Sequence, residues 1–185
     1  MHLQTGQPAK PFAAQDINGN AIALDDYRAR PLLISFFRSA SCTLCGLQVW
    51  YLAQQYLRWR QQGLQMLAVF ESTDAMTRQY INNQRLPFPV IADPDKNLFR
   101  LYDIESSWRA FIQGIPRYAV SLVQARRKGI TRWWPEIHPR LPADFLIAPD
   151  QTIYYVNYGK NMADRIPAEV VEGYLAQIQQ RSVMR

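Results

Sequence analysis

The sequence predicts an α/β domain with a mixed central sheet flanked by helices, and three observations carry that prediction. Apolar runs of strand length recur at 31–38, 64–70, 88–92, 145–147 and 152–158. Helical patterns stand between several of them, and alternating strands and helices are the mark of layered α/β domains. The chain has 185 residues, 48% hydrophobic and 19% charged, enough for one core and unlike a disordered chain. No repeat, low-complexity tract or linker divides it, so 1–185 reads as a single domain.

Taken in order, Phe12–Ala14 and Ile22–Leu24 flank Asn18–Gly19, a favoured tight-turn dipeptide, and predict a hairpin. Pro31 opens PLLISFFR, whose unbroken apolar character suits a fully buried central strand. A helix is expected from about Thr43 to Gln62, with Leu44, Leu47, Tyr51, Ala53 and Leu57 as its apolar positions and Gly63 closing it. Leu64–Phe70 reads as the next buried strand. Ser72, Thr73 and Asp74 offer cap chemistry for a helix to about Gln84. Phe88–Ala92 is a short strand, and Asp93–Asp95 starts a helix to about Tyr102. Residues 105–140 give no clear periodicity and form an irregular insert. Two strands follow, around Phe145–Ile147 and Thr152–Tyr158, and Pro167 suits the first turn of a last helix.

The only two cysteines are Cys42 and Cys45. A loop this short restrains the unfolded chain weakly, so a structural disulfide is not its purpose. Cys42 falls between a buried strand and the start of a helix, where unpaired N–H groups and the helix dipole favour a thiolate. Arg38 lies in this stretch, whereas no carboxylate occurs between Phe36 and Trp50. Cys45 follows one helical turn deeper, on the same face and within disulfide reach. Cys42 is therefore the expected nucleophile and Cys45 the resolving thiol. An inert buried pair and half of a zinc site are the competing readings. Against zinc, His2 sits in the N-terminal tail and His138 stands alone, without paired ligand spacing.

Several segments carry a family resemblance in the same order. Gly6–Phe12, Asn18–Gly19 and Leu24–Tyr27 resemble an N-terminal hairpin region. Phe36–Cys45 (FFRSASCTLC) is similar to a pattern with a hydroxyl residue, here Ser39, three positions before a reactive cysteine, here Cys42. Phe88–Asp95 and Pro142–Asp150 complete the set. Together they resemble the peroxiredoxin-like proteins of the AhpC/TSA group, in the thioredoxin superfamily. Only about 105–140 lies outside the likeness.

The resemblance implies a thioredoxin-like fold and an oxidoreductase without a cofactor. Cys42 would reduce a peroxide and Cys45 would close a disulfide, with Ser39 hydrogen-bonding the reacting atoms. An external dithiol, such as a thioredoxin-type protein, would restore the pair. Departures from the family pattern matter. Ser35 stands where the pattern has proline, and Pro142 where it has an activating arginine. Arg38 and Arg140 are the candidates to replace that arginine. Pro142 is expected to be the superfamily's cis-proline, with Leu141 beside it docking an extended disulfide substrate. The alternative activity is accordingly that of a thiol–disulfide oxidoreductase, and a redox-inactive binding module is a third reading.

Lys and Arg number 21 against 15 Asp and Glu, a formal charge of +6. The stretch from Arg109 to Arg140 holds the whole excess, mixed with Phe111, Tyr118, Trp133 and Trp134. Arg126–Lys128 before Gly129 reads as a helix C-terminus, where bases complement the dipole, so nucleic acid is not the expected partner. A homodimer is compatible with the family likeness. Met1–Phe12 lacks the apolar core of a secretory signal, and no apolar run approaches a membrane span. The expected location is the cytoplasm.

Overall fold

Strand β1 (Ala13–Gln15) pairs antiparallel with β2 (Ala21–Ala23). The turn between them is held by the Asp16 carboxylate, whose Oδ1 accepts from Asn18 N–H and Asn20 N–H at 2.8 Å each. Gly19 adopts φ +87°, a conformation glycine takes without penalty. A 3₁₀ turn, Leu24–Tyr27, follows β2 and was not expected from the apolar pattern. Asp26 Oδ2 accepts from Ala23 N–H at 2.7 Å, which starts the turn locally. The computed structural model describes residues 2–81, 84–108, 123–130 and 139–183.

The main sheet grows outward from β3 (Leu32–Phe37), buried at every position as its unbroken apolar run predicts. β4 (Gln65–Phe70) pairs parallel with β3, and β5 (Val90–Ala92) pairs parallel with β4. On the other side β6 (Ala143–Ile147) and β7 (Ile153–Tyr158) run antiparallel, giving the order β5-β4-β3-β6-β7. The helices are α1 (Thr43–Gln61), α2 (Asp74–Ile81), α3 (Asn97–Leu101) and α4 (Ala168–Val183). The expected mixed sheet with flanking helices is the one observed.

Alternation along β3 divides the core into two layers. Leu33 and Phe37 face the cluster that α1 and α4 fill with Val49, Leu52, Val171 and Leu175. Leu32, Ile34 and Phe36 face the other, filled by Leu24, Leu98, Phe99 and Tyr102. Burying side chains of this size removes about 1.5–3 kcal/mol of exposure cost each. Of the five apolar positions expected on α1, Leu44, Leu47 and Ala53 are buried and two are not. Cys45, Val49, Leu52, Tyr56 and Trp59 face inward, whereas Tyr51 and Leu57 remain 43% and 50% exposed. A helix lying on a sheet buries the face aligned with Cys45, and Tyr51 and Leu57 point away from it.

Within 105–140, residues 123–127 are helical and end at Gly129 with φ +71°. Ala125 and Ile130 pack on Leu47 with Trp50 beside them, and Lys128 Nζ stands 4.3 Å from the centre of a Trp50 ring. Trp108 is 57% exposed. Phe111, Tyr118, Trp133, Trp134 and His138 lie outside the described residues. Among the described residues no helix is long and apolar enough to cross a membrane.

One close approach ties β7 to the segment leading into β6. Gly159 N–H donates to the Pro142 carbonyl at 2.9 Å, and a Cβ at Gly159 would stand 2.8 Å from both Pro142 Cγ and Pro142 O. Gly159→Ala is expected to lower stability by about 1–3 kcal/mol, the usual cost of forced overpacking. Urea denaturation checks this, and an unchanged midpoint would show that the contact yields freely.

Candidate active site

Strand β3 ends at Phe37, and five residues lead from it to the first residue of α1. Serine hydroxyls shape that turn. Ser72 Oγ accepts from Ala40 N–H at 2.9 Å, Ser39 and Ser41 hydroxyls meet at 2.9 Å, and Ser41 N–H donates to Ser39 Oγ at 3.2 Å. Cys42 N–H donates to the Ser39 carbonyl at 3.2 Å. The result sets Cys42 as the N-cap of α1, with Cys45 N–H donating to Cys42 Sγ at 3.4 Å. Cysteine is an unusual cap, but a thiolate sulfur suits the positive end of a helix.

Arg38 Nη2 donates to Cys42 Sγ at 2.7 Å, a charge-assisted contact inside the protein. Cys42 is 0% exposed, Cys45 6% and Arg38 5%. Four effects hold the Cys42 thiol down to about 5 against the opposing cost of burial: the hydrogen bond from the Cys45 thiol, the Arg38 charge, the Cys45 backbone N–H, and the hydrogen bond from Arg38. Cys45 moves the other way. Its hydrogen bond to Cys42, its burial and the Cys42 charge all keep its proton on. One turn of helix thus holds a thiolate beside a protonated thiol, the division that nucleophile and resolving thiol require.

A cavity of about 240 Å³, counted with its open mouth, reaches the two sulfurs. Its wall includes Arg38, Cys42 and Cys45 together with Arg140, Pro142 and Met162. Arg140 Nε donates to Glu71 Oε2 at 2.6 Å and its Nη1 to the Ile104 carbonyl at 2.7 Å. Lys96 Nζ approaches the other Glu71 oxygen at 3.2 Å. Arg140 is therefore present at the cavity but anchored to a buried carboxylate, while Arg38 touches the sulfur. Leu141 is half-buried and does not line the cavity, and neither does Ser39. No peptide bond among the described residues is cis, so Leu141–Pro142 is trans, contrary to the cis geometry expected there. Pro142 leads directly into β6, and its carbonyl accepts from Gly159 N–H at 2.9 Å.

Several neighbours were missed in the sequence. Met162 enters the cavity from the loop after β7, with its carbonyl accepting from Gln48 Nε2 at 3.0 Å. Glu71, which orients Arg140, follows directly on β4. Asp144 of β6 is 0% exposed and pairs with Arg165 Nη2 at 2.5 Å, while Arg165 Nη1 donates to the Phe36 carbonyl at 2.8 Å. Burial pushes the Asp144 carboxyl up, against Arg165 and the Ile166 N–H. Arg165 also interacts electrostatically with Cys45, so this pair lies near the second cysteine. An acid in a strand and an arginine in a loop carry no spacing that announces their meeting. Among the described residues no cluster of metal-ligating side chains occurs.

The AhpC/TSA family model matches residues 5–156. A curated relative, the thiol-disulfide oxidoreductase ResA of Bacillus subtilis (strain 168), is 26% identical over 103 residues. That match covers 55% of this chain and 57% of the relative, so the likeness spans little more than half of that protein's length. Two solved structures show the fold. The thioredoxin domain of a thiol-disulfide oxidoreductase from Bacteroides vulgatus superposes with a TM-score of 0.61 at 17% identity, covering 94% of this chain and 99% of that one. Peroxidoxin BcpB from Mycobacterium tuberculosis gives 0.66 at 12% identity, covering 97% and 98%. The fold is that of thioredoxin, and with the matched span reaching from the N-terminal hairpin to β7, the chain belongs to the AhpC/TSA family.

Proposed function

We propose that the protein is a thiol peroxidase in which Cys42 is the reacting thiolate and Cys45 the resolving thiol. The observation that carries this reading is Arg38 Nη2 at 2.7 Å from the fully buried Cys42 Sγ, in a narrow cavity. A peroxide is small enough to enter there, and a guanidinium beside the sulfur stabilises the negative charge that moves onto the departing oxygen. The Cys42 thiolate attacks one peroxide oxygen, the O–O bond breaks, and the other oxygen leaves as hydroxide and takes a proton to become water. Cys42 is now a sulfenic acid. The Cys45 sulfur attacks it, a second water leaves, and the disulfide forms. An external dithiol, such as a thioredoxin-type protein of the cytoplasm, supplies two electrons and two protons to restore both thiols.

A second reading rests on a different observation. The Cys45 thiol hydrogen-bonds Cys42 at a two-residue separation, and the curated relative ResA is named a thiol-disulfide oxidoreductase. In that role Cys42 attacks a disulfide sulfur, and Cys45 resolves the mixed disulfide. Both routes end in the same oxidised pair, so its detection separates nothing. Stopped-flow mixing of reduced protein with hydrogen peroxide and, separately, with a small model disulfide does. Peroxide is expected to react much faster than with a free thiol at the same thiolate fraction. Equality there removes the peroxidase reading.

The pH profile follows from the direction of the Cys42 shift. An acid whose pKa is lowered stays ionised until pH falls through the lowered value. The peroxide rate is therefore expected to be flat across neutral pH and to decline only below about 5. A free thiol would gain about tenfold per pH unit up to about 8.5. A slope of that kind across neutrality contradicts the assignment.

A further inference from the structure

Met162 takes no part in the cycle above, yet its side chain shares the cavity with Cys42 and lies 124 residues along the chain from Arg38. Arg38 Nη1 points at Met162 Sδ, 3.8 Å away, while its Nη2 donates to Cys42 Sγ at 2.7 Å. One guanidinium fork thus addresses two sulfur atoms. A thioether is a weak acceptor, so the contact to Met162 is the looser of the two. Oxidation reverses that ranking, because a sulfoxide carries a polar oxygen that accepts strongly. Met162 is 7% exposed and on the cavity wall, whereas Met66 is 1% exposed within the core.

We propose that Met162 is an oxidation site of this cavity, whose sulfoxide draws Arg38 away from Cys42 and slows the thiol until a methionine sulfoxide reductase removes the oxygen. The Met162 sulfur attacks a peroxide oxygen, the O–O bond breaks, and the departing hydroxide with a proton gives water. The thioether is oxidised by two electrons and the peroxide is reduced. The step is most favoured while Cys42 is held in its disulfide, because Arg38 then faces no thiolate. The charged and titratable groups around Cys42 are Arg38 and Cys45, with Arg140 held to Glu71 on the wall and Arg165 behind Cys45. Of these, only Arg38 bridges the two sulfurs.

The inference rests on the peroxidase reading for the presence of peroxide in the cavity, and its test does not need that activity. The full chain is converted to its disulfide with diamide, which shields both thiols, then treated with hydrogen peroxide and reduced again with dithiothreitol. Peptide masses report Met162, and the rate of Cys42 alkylation by iodoacetamide on the acid limb of its titration reports the thiolate. Met162 is expected to gain one oxygen and alkylation to slow about tenfold, the effect of one pKa unit. Methionine sulfoxide reductase should restore the rate. Met162→Leu, treated alike, should match its own untreated rate. Untreated Met162→Gln, which offers Arg38 an amide oxygen, should reproduce the slowing. The proposal is overturned if Met162 keeps its thioether while Met76, a half-buried methionine of α2, is oxidised, or if alkylation ignores the sulfoxide. It is also overturned if Met162→Gln behaves as Met162→Leu. Failure of the peroxidase reading shows separately, as slow reaction of the untreated protein with peroxide.

Discussion

Cys42→Ser is expected to abolish peroxide turnover, down to the rate of protein-free buffer, and Cys45→Ser is expected to perform the first oxidation and stop. The asymmetry follows from the one-turn division of the thiols. Cys42 carries the charge, so its loss removes the nucleophile. Cys45 supplies a hydrogen bond to that charge, and a serine hydroxyl can still donate it. The Cys45→Ser chain should therefore form a sulfenic acid at close to the original rate, with no partner to close the disulfide. Intact mass after one equivalent of peroxide should show one added oxygen, and excess peroxide should carry it on to the irreversible sulfinic acid. Turnover surviving in Cys42→Ser would remove the central assignment. A disulfide-forming Cys45→Ser chain cannot arise within one molecule, because no third cysteine exists.

Arg38→Met is expected to lower the second-order rate constant with peroxide by about 10²–10³, the range seen when one oxyanion donor is deleted. Two effects act in the same direction. The thiolate loses its charge partner at 2.7 Å, and burial, no longer opposed by that charge, pushes the Cys42 thiol up. The transition state also loses the donor that meets its leaving oxygen. Arg38→Lys restores charge without the planar two-armed geometry and should recover only part of the rate. Ultraviolet titration of the thiolate distinguishes this from a general disturbance of the loop, because a structural role alone leaves the Cys42 titration in place. An unchanged rate in Arg38→Met would transfer the activating role away from Arg38.

Much of this arrangement was legible because it is local in the chain. The apolar run ending at Phe37 and the helix beginning at Thr43 place Cys42 at a helix N-terminus without any knowledge of tertiary contacts. The proximity of Arg38 to Cys42 is likewise a matter of four residues and one turn. Contacts made across the sheet were not legible. Met162, Glu71, Asp144 and Arg165 reach the site by strand pairing and loop return, and nothing in their spacing records it. The apolar stripe of α1 was misjudged at Tyr51 and Leu57 because an aromatic and a leucine fit either face until the sheet chooses one. Pro142 shows the limit of likeness: its place matched a superfamily feature, while its own peptide bond is trans.

The short contact between Arg38 and Cys42 also sets an energetic bias on the redox cycle. In the dithiol form the fold contains a buried cation with a buried anion against it. Closing the disulfide neutralises the sulfur and leaves the guanidinium in the same low-dielectric surroundings without that anion. The reduced form is thereby favoured, and each 1.4 kcal/mol of that preference raises the reduction potential of the couple by about 30 mV. Such a pair gives up its disulfide readily to an incoming dithiol. The same thermodynamic cycle makes the oxidised protein the less resistant to unfolding, so denaturant melts of the two redox forms read the potential from the side of the fold.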